Sequence, residues 1–358
     1  MSYQDGMSAI NLEMTRRVCR TEGAFSAELH WDLVKAVTKI DVNQNSPQEL
    51  RERASQAFIK AWNYDFVWST LIYNQIFGEF RTSMGHAVYN AGGEDYRDDR
   101  NKVVCPFKTP EEVLAFEPAA VYGKIDYNKV VKDYNDHYRD QCRKYPDAVN
   151  CTGIYVTCIS GLIEILGWDM LLLAAGTDMG AFGAMTNRYA AWIQQYFDAL
   201  ADCESPVVMI HDDIVWTSGA FLSPAWYREY VFPNFKKYFA PLHAAGKKVL
   251  FTSDGNYTEF IDDIAGCGIH GFVLEPTTDM AYIAKNYGKT HSFQGNADTR
   301  ILLYGTKDDI YKEVKRCMDI GKQYPGFFMT VGNHIPSNTP VDAALFYNQC
   351  YEEMAMRW

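Results

Sequence analysis

Short apolar runs alternate with longer amphipathic stretches through the second half of the chain. Five runs have the length and the β-branched and aromatic content of buried strands. They lie at residues 206–211, 247–252, 270–274, 290–293 and 326–331. A stretch with helical periodicity follows each run, at residues 223–245, 257–265, 278–287, 308–323 and 341–356. Strands and helices that alternate in this order predict an α/β fold with a parallel sheet.

The first 205 residues are less regular. Residues 66–72 mix helix and strand signals, residues 151–159 predict a strand, and a long helix is expected from about residue 177 to 201. About seven strands in all favour a (β/α)8 TIM barrel over residues 61–358, preceded by an N-terminal helical elaboration over residues 1–60. Residues 82–128, rich in Gly, Asp, Asn and Pro, predict a long insertion. A doubly wound parallel sheet is the structural alternative.

Composition narrows the class of protein. The 358 residues are 47% hydrophobic and 22% charged, which excludes a disordered chain. The net charge of −11, without any local Lys/Arg cluster, argues against a nucleic-acid partner. The longest apolar stretch, residues 171–176, is too short to predict a membrane span. Nine cysteines at irregular spacings, with no CxxC pair and no signal peptide, favour reduced thiols and a cytoplasmic location.

Polar side chains follow all five of the predicted strands in the second half. They are His211, Asp212 and Asp213, then Asp254, Glu275, Asn296 and His334. Because the active site of a (β/α)8 barrel lies at the carboxyl ends of its strands, this row predicts a functional mouth. Simpler explanations remain for some members, since Asp212 or Asp213 could cap a loop and Asp254-Gly255 is also a turn signature.

A metal ion would account for ionisable groups at several strand ends. Glu275, His334 and Asp254 offer oxygen and nitrogen ligands, a mixture that zinc accepts with a position left open for substrate. The literal GxGxxG match at residues 266–271 follows a helix and precedes a strand. That order is the reverse of a dinucleotide-binding site, so we reject it.

Several motifs in the same order resemble the uroporphyrinogen decarboxylase superfamily. They are Asp212-Asp213 with residues 219–224 and 230–233, Asp254-Gly255, residues 295–298, and residues 332–334 with Thr339-Pro340. The resemblance is strongest from residue 206 to 357, and it implies a (β/α)8 barrel with its site at the C-terminal mouth. The chain departs from the decarboxylases themselves, because it has no Arg-rich N-terminal motif to grip substrate carboxylates.

The other branch of the superfamily contains methyltransferases that work with a separate corrinoid protein. Where the coenzyme M members have a His-x-Cys zinc motif, this chain has Thr252-Ser253-Asp254, and the later Cys falls at about Asn333-His334. Oxygen and nitrogen ligands suit an oxygen-bearing substrate better than a thiol. The chain therefore most resembles the methyltransferase I components of anaerobic O-demethylases of the veratrol, vanillate and guaiacol type.

This resemblance implies that a methyl group passes from an aromatic methyl ether to cobalt(I) of a corrinoid protein. Zn²⁺ on Glu275, His334 and Asp254 would activate the ether oxygen, and Asp212, Asp213 and Asn296 would be catalytic. The aromatic content of 15% supports a stacking pocket for an aryl ring. Its expected substrate-binding residues are His86, Trp68, Tyr73 and Trp216.

Two alternatives stay open. In the first, the protein is a methyltransferase of the same kind whose methyl donor is a methylamine, a betaine or a thiol. In the second, the protein is a metal-free lyase similar to uroporphyrinogen decarboxylase. No DxHxxG corrinoid-ligating motif is present in the sequence, so cobalamin is expected on the partner protein.

Overall fold

The computed structural model describes residues 2–22, 30–82 and 105–358. The strands are β1 Cys19–Arg20, β2 Phe66–Val67, β3 Val149–Asn150, β4 Thr152–Ile154, β5 Val207–His211, β6 Lys248–Ser253, β7 Gly271–Leu274, β8 Ser292–Gln294 and β9 Phe327–Met329. The helices before β5 are Tyr3–Ile10, Trp31–Thr38, Gln48–Ala61, Pro110–Leu114, Pro118–Tyr122, Tyr127–Lys144, Ile159–Thr177 and Met179–Ala201. The helices after β5 are Pro224–Trp226, Phe232–Ala244, Ile261–Ala265, Met280–Tyr287, Thr299–Tyr304, Lys307–Gly321 and Val341–Met354. Short 3-10 turns cover Asn74–Phe77 and Thr258–Phe260, and a π turn covers Tyr227–Val231.

The strands form a closed parallel ring. The main sheet has the order β1-β9-β8-β7-β6-β5-β4, and β2 pairs in parallel with β3, from which β4 continues after Cys151. Between β1 and β2, the Asp65 N–H donates to the Arg20 carbonyl at 2.8 Å, and the Thr21 hydroxyl donates to the Phe66 carbonyl at 2.7 Å. With β3 and β4 as one strand, eight strands complete the ring. This confirms the predicted (β/α)8 barrel and excludes the doubly wound sheet.

All five predicted strands from residue 206 onward are present, and a helix follows each one. The strand β1 lies within residues 1–60, the range assigned to an N-terminal elaboration, because the ring closes only with a strand beside β9. In the expected insertion, residues 83–104 lie outside the described part of the chain. The rest of it carries the helices Pro110–Leu114 and Pro118–Tyr122.

Side chains inside the barrel form a compact apolar plug below the mouth. It includes Cys19, Phe66, Met209, Leu250 and Phe328, all buried. Alternation along each strand then directs the next side chains outward, where they pack against the surrounding helices. The plug fills the lower barrel, so among the described residues the strand side chains that remain for a cavity lie mainly near the carboxyl ends.

The helix Ile159–Thr177 is long and apolar enough to cross a membrane by length and composition alone. Here it is a crossover helix that follows β4, and 61% of its most apolar window is buried in the protein. It is interrupted at Gly167, whose φ of +72° lies in the left-handed region that favours glycine. Its hydrophobicity is therefore explained by packing against the barrel.

Asp65 joins the N-terminal segment to the ring. Its Oδ1 accepts hydrogen bonds from the Arg17 guanidinium at 2.5 Å and from the Ser2 N–H at 2.9 Å, and its Oδ2 accepts from the Arg20 N–H at 3.0 Å. The Asp65 side chain is fully buried. Removing one partner of a buried ion pair leaves the other charge without compensation.

We predict that Asp65→Ala lowers the free energy of unfolding by about 3 kcal/mol, the cost of breaking a buried ion pair. Urea denaturation followed by circular dichroism measures the change. The control is Asp41→Ala, which removes an exposed ion pair with Lys35 and should leave the stability unchanged within error. Equal losses in the two variants would show that Asp65 does not hold the ring closed.

Candidate functional site

The carboxyl ends of β5 and β6 bring three ionisable side chains together. His211 is the last residue of β5, Asp213 comes two residues later, and Asp254 follows β6. Their ligand atoms all lie within 4.8 Å of one another. The His211 Nε2 is 3.3 Å from the Asp213 Oδ1, which also accepts the Asp254 N–H at 2.9 Å. One imidazole and two carboxylates form a donor set that zinc and other divalent cations accept. We call these residues the acidic triad.

Strand alternation decides which of the two neighbouring aspartates joins the acidic triad. Successive side chains on a strand point to opposite faces, so His211 and Asp213 face the barrel mouth and Asp212 faces the helices. Asp212 is buried and accepts three backbone N–H groups, those of residues 158–160, at 2.6 to 3.1 Å. These groups form the start of the helix Ile159–Thr177, where a carboxylate is favourable. Asp212 therefore anchors a helix.

Burial and mutual repulsion make the acidic triad electrostatically costly without a cation. Burial, with the charges of Asp212 and Glu275, raises the pKa of Asp213 to about 7. Burial, with the charges of Asp213 and Glu275, raises the pKa of Asp254 well above its usual value. Burial lowers the pKa of His211, which favours the neutral imidazole that binds metals. A divalent cation would offset the repulsion between the carboxylates, so these residues fit a metal ion.

Glu275 and His334, predicted as metal ligands together with Asp254, are placed differently from it. The Glu275 carboxylate accepts the Gly255 N–H at 2.9 Å and the Asn333 amide at 3.1 Å. Asn333 also contacts the His334 Nδ1 through its side-chain oxygen. Burial lowers the pKa of His334 to about 4. Asp254 is in the acidic triad, whereas Glu275 lies beside it and His334 lies in the cavity wall.

A cavity of about 340 Å³ opens beside the acidic triad. Its lining includes the predicted residues Trp68, Tyr73, Asp254 and His334. The remaining lining residues are Ser69, Thr70, Gln141, Lys144, Tyr145, Tyr155, Met209, His211, Thr252 and Asn333. This volume is near the lower end of the range of about 300–1,000 Å³ for ligand pockets, which suits a small ligand.

Aromatic rings stack along one wall of the cavity. Tyr155 lies against His211 with ring centroids 3.9 Å apart and an interplanar angle of 9°. Tyr73 stacks on Tyr155 at 4.9 Å and 22°. The stack holds the imidazole of His211 in one plane, and it makes this wall of the cavity aromatic.

Trp216, predicted to bind substrate, lies at the mouth outside the cavity lining. Its ring packs on Trp168 at 5.7 Å and on Phe221 at 5.4 Å, and 43% of the residue is exposed. Its carbonyl lies over Gly255, where a Cβ would be 2.7 Å from it. Glycine is also required there by a φ of +84°. The turn that follows Asp254 is thus closed by the loop that carries Trp216.

Asn296, predicted to be catalytic, is a buried contact between loops. Its amide donates to the carbonyls of Glu275 and Thr278, both at 3.1 Å, and its side-chain oxygen accepts from Arg316 at 3.0 Å. It therefore positions the loop after β7 and is not part of the cavity lining. His86, the remaining predicted residue, lies outside the described residues.

Sequence reasoning placed His211 at a strand end but did not assign it to the site. The alternation of β5, which puts residues 207, 209, 211 and 213 on one face, is the signal that could have identified it. Tyr155 follows a three-residue strand, and Gln141 and Lys144 lie on the helix Tyr127–Lys144. Nothing in their local sequence indicates a site.

Comparisons with known proteins agree with this architecture. The family model for uroporphyrinogen decarboxylase (URO-D) matches residues 140–353. Uroporphyrinogen decarboxylase from Geobacter sulfurreducens is 24% identical over 176 residues, which is 49% of this chain and 50% of the relative. The enzyme of the same name from Thermus thermophilus is 29% identical over 161 residues, 45% of each chain. The chain thus spans about half the length of these curated relatives.

A solved structure extends the likeness to nearly the whole chain. A methyltransferase from Methanosarcina mazei superposes with a TM-score of 0.63 over 98% of each chain, at 16% sequence identity. At that identity the likeness concerns the fold, including residues 1–139, which the family model leaves unmatched. The family match covers more than half of the residues, and it includes all three strand ends that form the acidic triad and its neighbour Glu275. The chain therefore belongs to the uroporphyrinogen decarboxylase family.

Proposed function

We propose that this protein is a methyltransferase that removes the methyl group of an aromatic methyl ether and passes it to cobalt(I) of a separate corrinoid protein. The observation that carries the proposal is the acidic triad, His211, Asp213 and Asp254, at the edge of a cavity with aromatic walls. Hard ligands suit the activation of an oxygen atom, and stacked rings suit an aryl substrate.

The acidic triad would hold a zinc ion. Zinc bound there would supply Lewis-acid stabilisation of the negative charge that develops on the ether oxygen. The protein's own part is to fix the ligands: Tyr155 holds the plane of His211, and the Asp254 N–H holds the Asp213 carboxylate. Glu275 and Asn333 keep the turn after β6 in place.

The walls of the cavity would orient the substrate ring. Tyr73, Tyr155 and Trp68 present aromatic surface around a space that fits a single ring. A ring held by stacking places its methoxy oxygen toward the acidic triad and its methyl group toward the mouth. Positioning of this kind is a large part of catalysis, because it removes the entropy cost of bringing the reactants together.

The partly exposed cluster of Trp168, Trp216 and Phe221 at the mouth offers the corrinoid protein an apolar contact beside the site.

All nine cysteines are free thiols in the structure. This supports a reducing compartment such as the cytoplasm for the protein.

A methylated ammonium donor is the second candidate. Aromatic faces beside the Asp254 carboxylate would also attract a quaternary ammonium group through cation–π contacts. The lyase alternative has less support. Lys144 is the single cationic side chain in the described cavity lining, whereas a polycarboxylate substrate needs several.

We predict that zinc binds in the acidic triad. His211→Ala and Asp254→Asn should each weaken zinc binding by about a hundredfold or more, since even outer-shell changes cost about 10- to 100-fold. Zinc content after gel filtration, measured by mass spectrometry, reports the loss. His291→Ala, at the opposite end of the barrel before β8, is the control and should keep wild-type zinc. Zinc retained in both triad variants would place the metal elsewhere.

We predict that the two neighbouring aspartates contribute very differently to the free energy of unfolding. Asp212→Ala should lower the free energy of unfolding by about 3 kcal/mol or more, because three buried N–H groups lose their acceptor. Asp213→Ala should cost less than about 1 kcal/mol, because the lost hydrogen bond is offset by relief of charge repulsion. Urea denaturation in the presence of a chelator measures both. A loss for Asp213→Ala as large as that for Asp212→Ala contradicts the roles assigned to the pair.

We predict methyl transfer from methoxyarenes. The zinc-loaded protein, mixed with a corrinoid protein reduced to cobalt(I), should change the corrinoid absorption spectrum when 1,2-dimethoxybenzene is added. Asp254→Asn should reduce the rate about a hundredfold or more, as loss of Lewis-acid stabilisation requires. Transfer from trimethylamine or betaine alone would support the second candidate, and conversion of a porphyrinogen without metal would support the lyase.

A further inference from the structure

The helix Tyr127–Lys144 turns a polar face toward the barrel. His137, Gln141 and Lys144 follow one another at spacings of four and three, which places them on one side of the helix. Gln141 and Lys144 line the cavity, and His137 contacts β4. The N-terminal half of this helix packs apolar side chains, Val130, Val131 and the buried Tyr134, against the core, as expected for a helix on the outside of a barrel. The polar residues follow in its C-terminal half, where two of them reach the cavity.

A hydrogen-bond chain leads from β4 to the cavity through His137. Its Nδ1 lies 2.8 Å from the Thr152 hydroxyl, and its Nε2 lies 2.8 Å from the Ser69 hydroxyl, which lines the cavity. Burial lowers the pKa of His137, so the imidazole is neutral and carries one ring proton. The position of that proton fixes the direction of the whole chain.

Thr152 determines which atom donates in each of these hydrogen bonds. Its side chain is fully buried, and His137 is the partner of its hydroxyl among the described residues. The Thr152 O–H must therefore donate to Nδ1, since a buried hydroxyl proton without an acceptor is costly. The ring proton is then on Nε2 and is donated to the Ser69 oxygen. This leaves the Ser69 O–H available as a hydrogen-bond donor in the cavity lining.

Lys144 adds a positive charge to the cavity lining, about one turn beyond Gln141 on the same helix. It pairs with Asp140 at 2.8 Å in a partly exposed contact, which contributes little to stability. Asp140 also accepts from Arg143 at 2.5 Å, so it keeps a cationic partner when Lys144 turns toward a ligand. Ser69, Gln141 and Lys144 thus form a donor-rich end of the cavity, whose lining also includes Asp254.

We propose that this donor-rich end binds a carboxylate on the aromatic ring of the substrate, so that the substrate class is the methyl ethers of aromatic carboxylic acids. The proposal rests on the proposed function and specifies its substrate. A carboxylate accepts from the Ser69 hydroxyl, the Gln141 amide and the Lys144 ammonium together. The ring then spans the aromatic wall, with its methoxy group toward the acidic triad. Lys144 also disfavours a cationic methyl donor.

Binding of unreactive probes tests this without methyl transfer. Calorimetric titration of the zinc-loaded full chain with benzoate and with neutral benzamide should show benzoate binding about tenfold tighter or more, the size of a charge-assisted hydrogen bond. Lys144→Met should remove this preference and leave benzamide affinity unchanged. The matched control is Lys132→Met, which breaks the similar i,i+4 pair with Asp136 on the same helix and should change neither affinity.

His137 is a positioning residue, and a double-mutant cycle tests its role. Ser69→Ala and His137→Phe should each weaken benzoate binding about fivefold, with benzamide unaffected, as loss of a single hydrogen bond predicts. The double variant should lose no more than either single one, because the two residues act through one hydrogen bond. Additive losses would show that Ser69 and His137 do not act through one hydrogen bond, and they would overturn the positioning role of His137.

Equal binding of benzoate and benzamide, or the same loss in Lys144→Met and Lys132→Met, overturns the carboxylate site. Methyl transfer from neutral methoxyarenes without any preference for methoxybenzoates would also overturn it, and the proposed function would stand. Benzoate selectivity that depends on Lys144, without methyl transfer from any methoxybenzoate, would support the site and reject the proposed function.

Discussion

Repulsion among carboxylates at neighbouring strand ends is the constraint around which the mouth of this barrel is built. Asp212, Asp213, Asp254 and Glu275 lie at the ends of three adjacent strands, and burial makes the charges of the three aspartates expensive. Backbone N–H groups compensate part of this negative charge. Asp212 accepts hydrogen bonds from the start of a helix, and Glu275 accepts one from the Gly255 N–H. Asp213 and Asp254 are left facing one another across His211. A cation at that point would balance the site.

The acidic triad is connected to the aromatic wall of the cavity. Tyr155 fixes the imidazole of His211, and the same ring continues the aromatic wall through Tyr73. The cavity lining also carries hydrogen-bond donors, including Lys144. The proposed substrate, a flat aromatic ring with a polar group at each end, matches a small space lined by a carboxylate, by donors and by aromatic rings. A large polyanion fits such a space less well, as the proposed function requires.

The sequence was sufficient for the barrel and for part of the site. Strands β5 to β9 have clear apolar runs and following helices, so their carboxyl ends and Asp254 could be predicted. The two-residue strands β1 and β2 are too short for any periodic signal, and they are recognised only by their hydrogen bonds to neighbours. Asp212 and Asp213 are adjacent in sequence, and only the register of β5 shows that one anchors a helix while the other meets His211.

Long-range contacts decide the remainder. Asn296 follows a predicted strand, but its partner Arg316 comes from a distant helix and turns it into a structural contact. His137 and Lys144 lie on a helix whose sequence is charged throughout, so no local pattern distinguishes the face that meets the cavity. Such residues are identified only from their tertiary contacts in the folded structure.

X-ray absorption at the zinc edge of the zinc-loaded protein tests the central claim most directly. The acidic triad contains no sulfur, and no cysteine lies in the described cavity lining. The spectrum should therefore show only nitrogen and oxygen ligands at about 2.0–2.2 Å, with the outer-shell signature of one imidazole. That signature should disappear in His211→Ala. A sulfur ligand at about 2.3 Å, or an unchanged spectrum in His211→Ala, would contradict a metal centre built from His211, Asp213 and Asp254.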